Sequence, residues 1–344
     1  MVLSPVAGRL NKRRIIVIAD GALHYIPFQM LPSPAADAEP LVAQHDIINA
    51  PSASILGELR EEVAGRGVRS KVLAAFGNPA LGPAQQSAAN ASHQMRDIDL
   101  TGDSFDLSSI GQLFFAEREI NSLREIATPA ATFTATGFAA NRKQLFSMDF
   151  SQYAILHFAT HGLLDPTRPE HSGILLSTID DQGKKQEGFI TLQDVYTLRA
   201  PVDLVVLSAC RTGLGKEIRG EGLVGLTRGF MYAGATTVVA SLWKVDDEAT
   251  SELMKLFYTE MLQNRKTPDE ALRSAQNMIR LNPRWSAPHY WAGFTLQGEY
   301  QYVVNSNRGW RRYSMLIVIG LVGIVLASAG GFYRYRLRAS AVKK

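Results

Sequence analysis

The sequence predicts an α/β fold: a mostly parallel sheet flanked by helices, followed by one C-terminal transmembrane helix. Three observations carry this. Asp203–Lys244 reads as a β-branched strand (Leu204–Leu207), a Gly-rich loop, an amphipathic helix (Glu221–Tyr232) and a second apolar strand (Thr236–Leu242). That order is the signature of parallel strands joined by crossover helices. A further apolar run, Tyr153–Phe158, leads into His161-Gly162 and reads as another buried strand. Finally, Ser314–Tyr333 contains no charged residue.

The elements follow in order. Arg14–Ile18 is an opening strand, and Pro32–Pro40 a Pro/Ala loop. Ser52–Ala64 reads as a helix with Ser52 or Ser54 near its cap. Lys71–Phe76 is a strand ending in Gly77-Asn78-Pro79. Residues 79–113 are polar and form an insertion, and stretches this long are functional or unstructured. Ala116–Ile126 is a helix, Ala131–Thr136 a strand, and Asn141–Ser147 the helix before the His strand. After a loop carrying Asp165, Glu170 and His171, Gly173–Ser177 is a short strand. Thr191 caps a helix whose third residue, Asp194, suits its N-terminus. Asp246–Leu262 repeats Leu253, Leu256, Phe257 and Met261 at helical spacing. Pro268–Leu281 is a helix with Pro in its first turn. Tyr290–Leu296 closes the domain as a strand. The domain spans residues 1–303, with a linker at 304–313, the span at 314–333 and a basic tail at 334–344.

Composition limits the function classes. The net charge is +4 over 344 residues, with many basic residues in the final stretch. The rest is near neutral, so no nucleic acid is expected as a partner. A single cysteine excludes an internal disulfide framework and any multi-thiolate zinc site, so no metal or other cofactor is expected.

That cysteine, Cys210, follows the first strand of the central unit, where open α/β sheets bind ligands. A lone thiol is ordinarily a small buried hydrophobe, and a catalytic one needs a base nearby in space. His161, at the end of the upstream strand, is the candidate. Two parallel strands ending in His-Gly and Ala-Cys could bring imidazole and thiol together at one sheet edge.

The segments HFATHG (157–162), LSACRTGLG (207–215), GEGLVGLTRGFMYAGATTVVASLWKVDDEAT (220–250) and HYWAGFTLQGE (289–299) resemble the CHAT family of caspase-like proteins. That family is grouped with caspases, separases and clostripain-like peptidases. The resemblance runs from Arg14 to Glu299. It implies a caspase-like fold and a Cys–His dyad that falls on Cys210 and His161. It implies cleavage of a protein or peptide substrate through a thioester, with the backbone N–H groups of Gly162 and Cys210 as oxyanion-hole candidates. Related peptidases often prefer a basic residue before the cut, and Asp165 is the candidate acidic group for that pocket. The competing reading is a non-catalytic CHAT interaction or signalling module tethered to the membrane. CHAT domains often follow helical repeats, so the chain can be the end of a longer architecture, although no internal repeat is visible.

Other motifs have plainer readings. Gly220-Glu221-Gly222-Leu223-Val224-Gly225 matches a dinucleotide fingerprint but does not follow a strand directly, as that motif requires. Its glycines suit close helix–sheet packing instead. His157 lies inside an apolar strand and reads as a core histidine. His171 and His289 read as loop residues. Asp246 and Asp247 start a helix, where capping explains them. Ser208 lacks a nucleophile-elbow context.

Ser314–Tyr333 would span roughly 30 Å as a helix, the thickness of a bilayer core. Arg311 and Arg312 flank it on one side, and Arg334, Arg336 and Arg338 on the other, with Trp310, Tyr313 and Tyr333 at interfacial positions. Gly323, Ala327 and Gly331 form a small-residue stripe that permits self-association. The start of the chain has no apolar signal-peptide core, which places the domain in the cytoplasm. Five basic residues after the span against three just before it pull the other way.

Overall fold

The computed structural model describes residues 3–11, 13–34, 39–82, 113–164, 171–208, 210–212 and 221–304. Twelve strands are described: β1 (Arg14–Val17), β2 (Asp46–Asn49), β3 (Lys71–Pro79), β4 (Thr132–Gly137), β5 (Tyr153–Ala159), β6 (Gly162–Leu164), β7 (Gly173–Leu175), β8 (Phe189–Thr191), β9 (Leu204–Leu207), β10 (Cys210–Thr212), β11 (Thr237–Ser241) and β12 (Phe294–Gly298).

Eight of them form the main sheet, in the order β1-β2-β12-β11-β9-β5-β3-β4. Every neighbouring pair is parallel except β11 with β12. The central strands β5, β9 and β11 are buried along their whole length. Strands covered on both faces need no polar alternation, which explains their continuous apolar runs.

The pleat sends alternate residues to opposite cores. Leu73, Ala75, Ile155, Val206 and Val239 pack under the helices Ala116–Ile126, Asp247–Tyr258 and Pro268–Arg280. Phe76, Leu156, Phe158, Val205 and Val238 pack against Leu145, Val195, Leu226 and Phe230 on the other side. Each such fully buried Leu, Ile, Val or Phe side chain contributes about 1.5–3 kcal/mol of transfer free energy.

Local chemistry sets the helix starts. Ser52 Oγ accepts from the Ile55 amide at 3.1 Å, so the first helix runs Ala53–Gly65. Asn141 caps Arg142–Ser147 in the same way. Asp246 Oδ1 accepts from the Ala249 amide at 2.9 Å and starts Asp247–Tyr258. That helix continues as a π-type turn, Thr259–Gln263, rather than as regular helix to Leu262.

The closing segment departs from the strand expected over Tyr290–Leu296. Pro288–Trp291 is a short helix, and β12 begins only at Phe294. Gln276 donates to the Trp291 and Phe294 carbonyls at 3.1 and 2.8 Å, and Gln29 to Phe294 at 3.1 Å. These amides take carbonyls that a longer strand would offer to its ladder.

The chain divides into two units, Met1–Val304 and Asn305–Lys344. The span expected at 314–333, the stripe Gly323, Ala327 and Gly331, and Asp165 all lie outside the described residues. Among the described residues, no helix is long and apolar enough to cross a membrane.

Candidate active site

The site region begins where β5 and β9 leave the main sheet. Their last paired residues are Phe158 and Leu207. Ser208 continues the ladder, its amide donating to the Phe158 carbonyl at 3.0 Å and its hydroxyl to the same oxygen at 3.2 Å. Both chains then enter a second sheet of four short strands, in the order β10-β6-β7-β8. β6 continues from β5, and β10 from β9. They pair in parallel, with Cys210 opposite Gly162, Arg211 opposite Leu163 and Thr212 opposite Leu164.

This register brings two of the sequence-predicted residues together. Cys210 is the partner of Gly162, and His161 immediately precedes Gly162. Neighbouring strands lie about 4.8 Å apart. The spacing is not uniform along the two chains. Three residues separate Phe158 from Gly162, whereas two separate Leu207 from Cys210. The extra residue falls on the histidine side.

The backbone around His161 is held from the other flank. The Leu175 amide donates to the His161 carbonyl at 2.8 Å, and Thr160 Oγ1 donates to the Leu175 carbonyl. The His161 side chain is nearly enclosed, with 7% exposure for the residue. Behind it, β7 and β8 approach closely: a Cβ on Gly173 would fall onto the Ile190 carbonyl. Cys210 lies in β10, the outer strand of the small sheet.

Sequence reasoning assigned no role to the loop after β11, which lies beside this region. Ala240 pairs with Leu207. Trp243 is three residues past Ala240, as Cys210 is three past Leu207. The Trp243 indole N–H donates to the His289 carbonyl at 3.0 Å, and the two rings stack at 6.4 Å. An aromatic at a strand exit is the signal that could have marked it. His289 itself lies in the short helix Pro288–Trp291, not in a loop.

His157 is a core residue. It is fully buried, with Nδ1 3.0 Å from the Tyr258 hydroxyl and Nε2 2.7 Å from Glu119 Oε1. Asp247 accepts from the Phe115 amide at 2.9 Å. Burial first, and then the nearby Glu119 and Asp246 carboxylates, push its pKa up to about 6. Among the described residues, no group of His, Cys, Asp and Glu side chains is arranged to hold a metal ion.

Against known proteins, the family described as CHAT domain matches residues 1–299. Tetratricopeptide repeat protein 28 of Mus musculus is 25% identical over 328 residues, 87% of this chain and 13% of that protein. The Homo sapiens protein of the same name gives the same identity and coverage. The chain thus spans about an eighth of the length of these relatives. Two structures of the Saccharomyces cerevisiae separase–securin complex overlay with TM-scores of 0.49 and 0.47 at 12% identity. They cover 83% of this chain and 16% and 15% of the matched chains. The Arg-specific cysteine proteinase gingipain R overlays at 0.45 with 11% identity, covering 76% of this chain and 55% of that one. The match over residues 1–299 shows that the chain belongs to the CHAT domain family.

Proposed function

We propose that this CHAT domain is a cysteine endopeptidase acting through a Cys210–His161 dyad and tethered to a membrane by residues 314–333. The observation that supports the dyad is the register of the small sheet, which pairs Cys210 with the residue after His161. His161 takes the proton of the Cys210 thiol. The thiolate attacks the scissile carbonyl, and the oxyanion that develops is met by backbone N–H groups of Cys210 and Gly162. The place of β10 at the end of the described small sheet supports the Cys210 N–H in that role. The C–N bond then breaks, the imidazolium protonates the leaving amine, and water hydrolyses the thioester.

Asp165 is the proposed acidic group for a basic residue before the cut. The span sets the membrane partner, Gly323, Ala327 and Gly331 a face for self-association, and the domain faces the cytoplasm. A second reading is a non-catalytic interaction module. Curated relatives that carry the name of a tetratricopeptide repeat protein rather than of a peptidase favour that reading.

A thiol-directed peptide probe on the full chain separates the two. Labelling at Cys210 that collapses in His161→Ala supports the peptidase. Cys210→Ala and His161→Ala should each abolish peptide cleavage, and because His161 is nearly enclosed, His161→Ala should also lower the thermal midpoint. Undiminished cleavage by either variant overturns the dyad, and absence of labelling in the unaltered chain favours the interaction module.

A further inference from the structure

Residues 79–82 open the stretch that reads in sequence as a polar insertion, yet they are fixed onto the small sheet. At the end of β3, Asn78 adopts a φ of 44°, a left-handed conformation that Asn tolerates, and the ladder with β4 shifts register there. The Ala80 amide still donates to the Gly137 carbonyl of β4 at 3.3 Å. The Ala80 carbonyl accepts from the Thr178 amide and from Ser177 Oγ, both at 2.9 Å, and the Gly82 amide donates to Thr178 Oγ1 at 3.4 Å. Ser177 and Thr178 lie just past β7. These bonds seat Leu81, which is buried, in a cluster with Leu163 of β6 and Leu175 of β7, and Phe189 of β8 packs against it. The cluster is separate from the two cores that cover the main sheet. Among the described residues, Leu81 is its one member from outside the small sheet. Leu175 is the residue whose backbone holds the histidine chain, through its amide to the His161 carbonyl at 2.8 Å and its carbonyl to Thr160 Oγ1. Leu163 follows Gly162 in β6 and pairs with Arg211 of β10.

We propose that Leu81 is a positioning residue for His161: its side chain completes the cluster that keeps Leu163 and Leu175 in place, and so keeps the Leu175–His161 backbone bond and the placement of the imidazole relative to Cys210. Three buried leucines make a small cluster, and truncating one leaves a void that no main core shares. The segment reaches the small sheet directly from β3, so it also ties the site to the main sheet through a route other than β5 and β9. The consequence for catalysis rests on the Cys210–His161 reading; the packing itself does not.

The test is hydrogen exchange of the Leu175 amide in the full chain, with Leu81→Ala set against Leu272→Ala. Leu272 lies on the helix Pro268–Arg280 in a main core, and the two leucines are 5% and 4% exposed, so both variants lose a leucine of similar burial. Leu81→Ala should speed exchange of the Leu175 amide by at least about tenfold through local opening, and Leu272→Ala should leave it unchanged. Leu81→Met refills the volume and should restore slow exchange. Leu81→Ala should also slow labelling of Cys210 by a thiol-directed peptide probe. The pH midpoint of labelling should move up toward the free-thiol value of about 8.5, because the imidazole no longer assists the thiol. Equal acceleration of exchange by both alanine variants, or none by Leu81→Ala, overturns the positioning role. So does an unshifted labelling midpoint in Leu81→Ala. An unaltered chain that is never labelled overturns the peptidase reading instead, while the exchange comparison still decides the role of Leu81.

Discussion

Two carboxylates at helix starts behave in opposite ways. Asp194 lies in the first turn of Leu192–Thr197 and Asp247 in the first turn of Asp247–Tyr258. Each accepts from a backbone amide, Asp194 from Thr191 at 2.9 Å and Asp247 from Phe115 at 2.9 Å. The Asp194 pKa is held down at about 2, and that of Asp247 is pushed up to about 6. The largest cause for Asp194 is the Arg142 side chain, whose two terminal nitrogens sit 2.8 and 2.5 Å from its oxygens. The largest cause for Asp247 is burial, reinforced by Glu119 and Asp246. Helix dipole and backbone bond are common to both, so neither decides the outcome. What decides is whether a guanidinium or a second carboxylate shares the desolvated space.

Removing the imidazole behind Asp247 should have the largest effect. His157→Leu leaves the buried Glu119 carboxylate and the Tyr258 hydroxyl without the ring they bond. It should destabilise the domain by about 3 kcal/mol in urea titration, as for other uncompensated buried polar groups.

The next test converts Asp194 into an unpartnered carboxylate. Arg142→Ala removes its fork and the cation–π contact of Arg142 with Phe146. A loss of about 1–2 kcal/mol at pH 7 is expected, discounted because the pair is partly exposed. The Asp194 contribution is present above its unfolded pKa near 3.8 and is lost as pH falls toward 2. The unaltered chain should therefore lose this increment between about pH 4 and pH 2, and Arg142→Ala should not.

Asp247 should give the smallest change and the opposite sign. Its raised pKa makes ionisation unfavourable to folding, so stability from this group is full below pH 4 and falls as pH rises through 6. Asp247→Asn should raise the urea midpoint at pH 7.5 by the equivalent of about 1 kcal/mol and leave it unchanged at pH 4. A variant less stable than the unaltered chain at pH 7.5 would show that the amide contact outweighs the buried charge.

The same pair shows what the amino-acid order reveals. Asp194 was legible because a capping box is local: Thr191 and Asp194 are three residues apart, and both reciprocal bonds form. Asp247 read as one of two equivalent capping residues. Only Asp246 caps, through the Ala249 amide, while Asp247 meets Phe115 from 132 positions away. The long strands β3, β5, β9 and β11 announced themselves by apolar runs. Of the small sheet only β7 was read, as the short strand Gly173–Ser177; three-residue strands such as the others cannot show a period. Its pairing of Cys210 with Gly162 depends on β7 and β8 arriving behind β6, which no local pattern encodes. Nor does any local pattern show that β12 runs against β11.

The unequal spacing of the two chains that leave the main sheet acts as a ruler. Four positions carry the first chain from Phe158 to Gly162, and three carry the second from Leu207 to Cys210. Side chains alternate faces with a period of two, so a single-residue deletion between Ala159 and Gly162 would not merely shorten a bend. It would turn every later position of β6 over relative to β10. Insertions and deletions should therefore be absent from these two connections in any working library of variants, even where substitutions are accepted, and a pool selected for folding after random indels would show that gap directly.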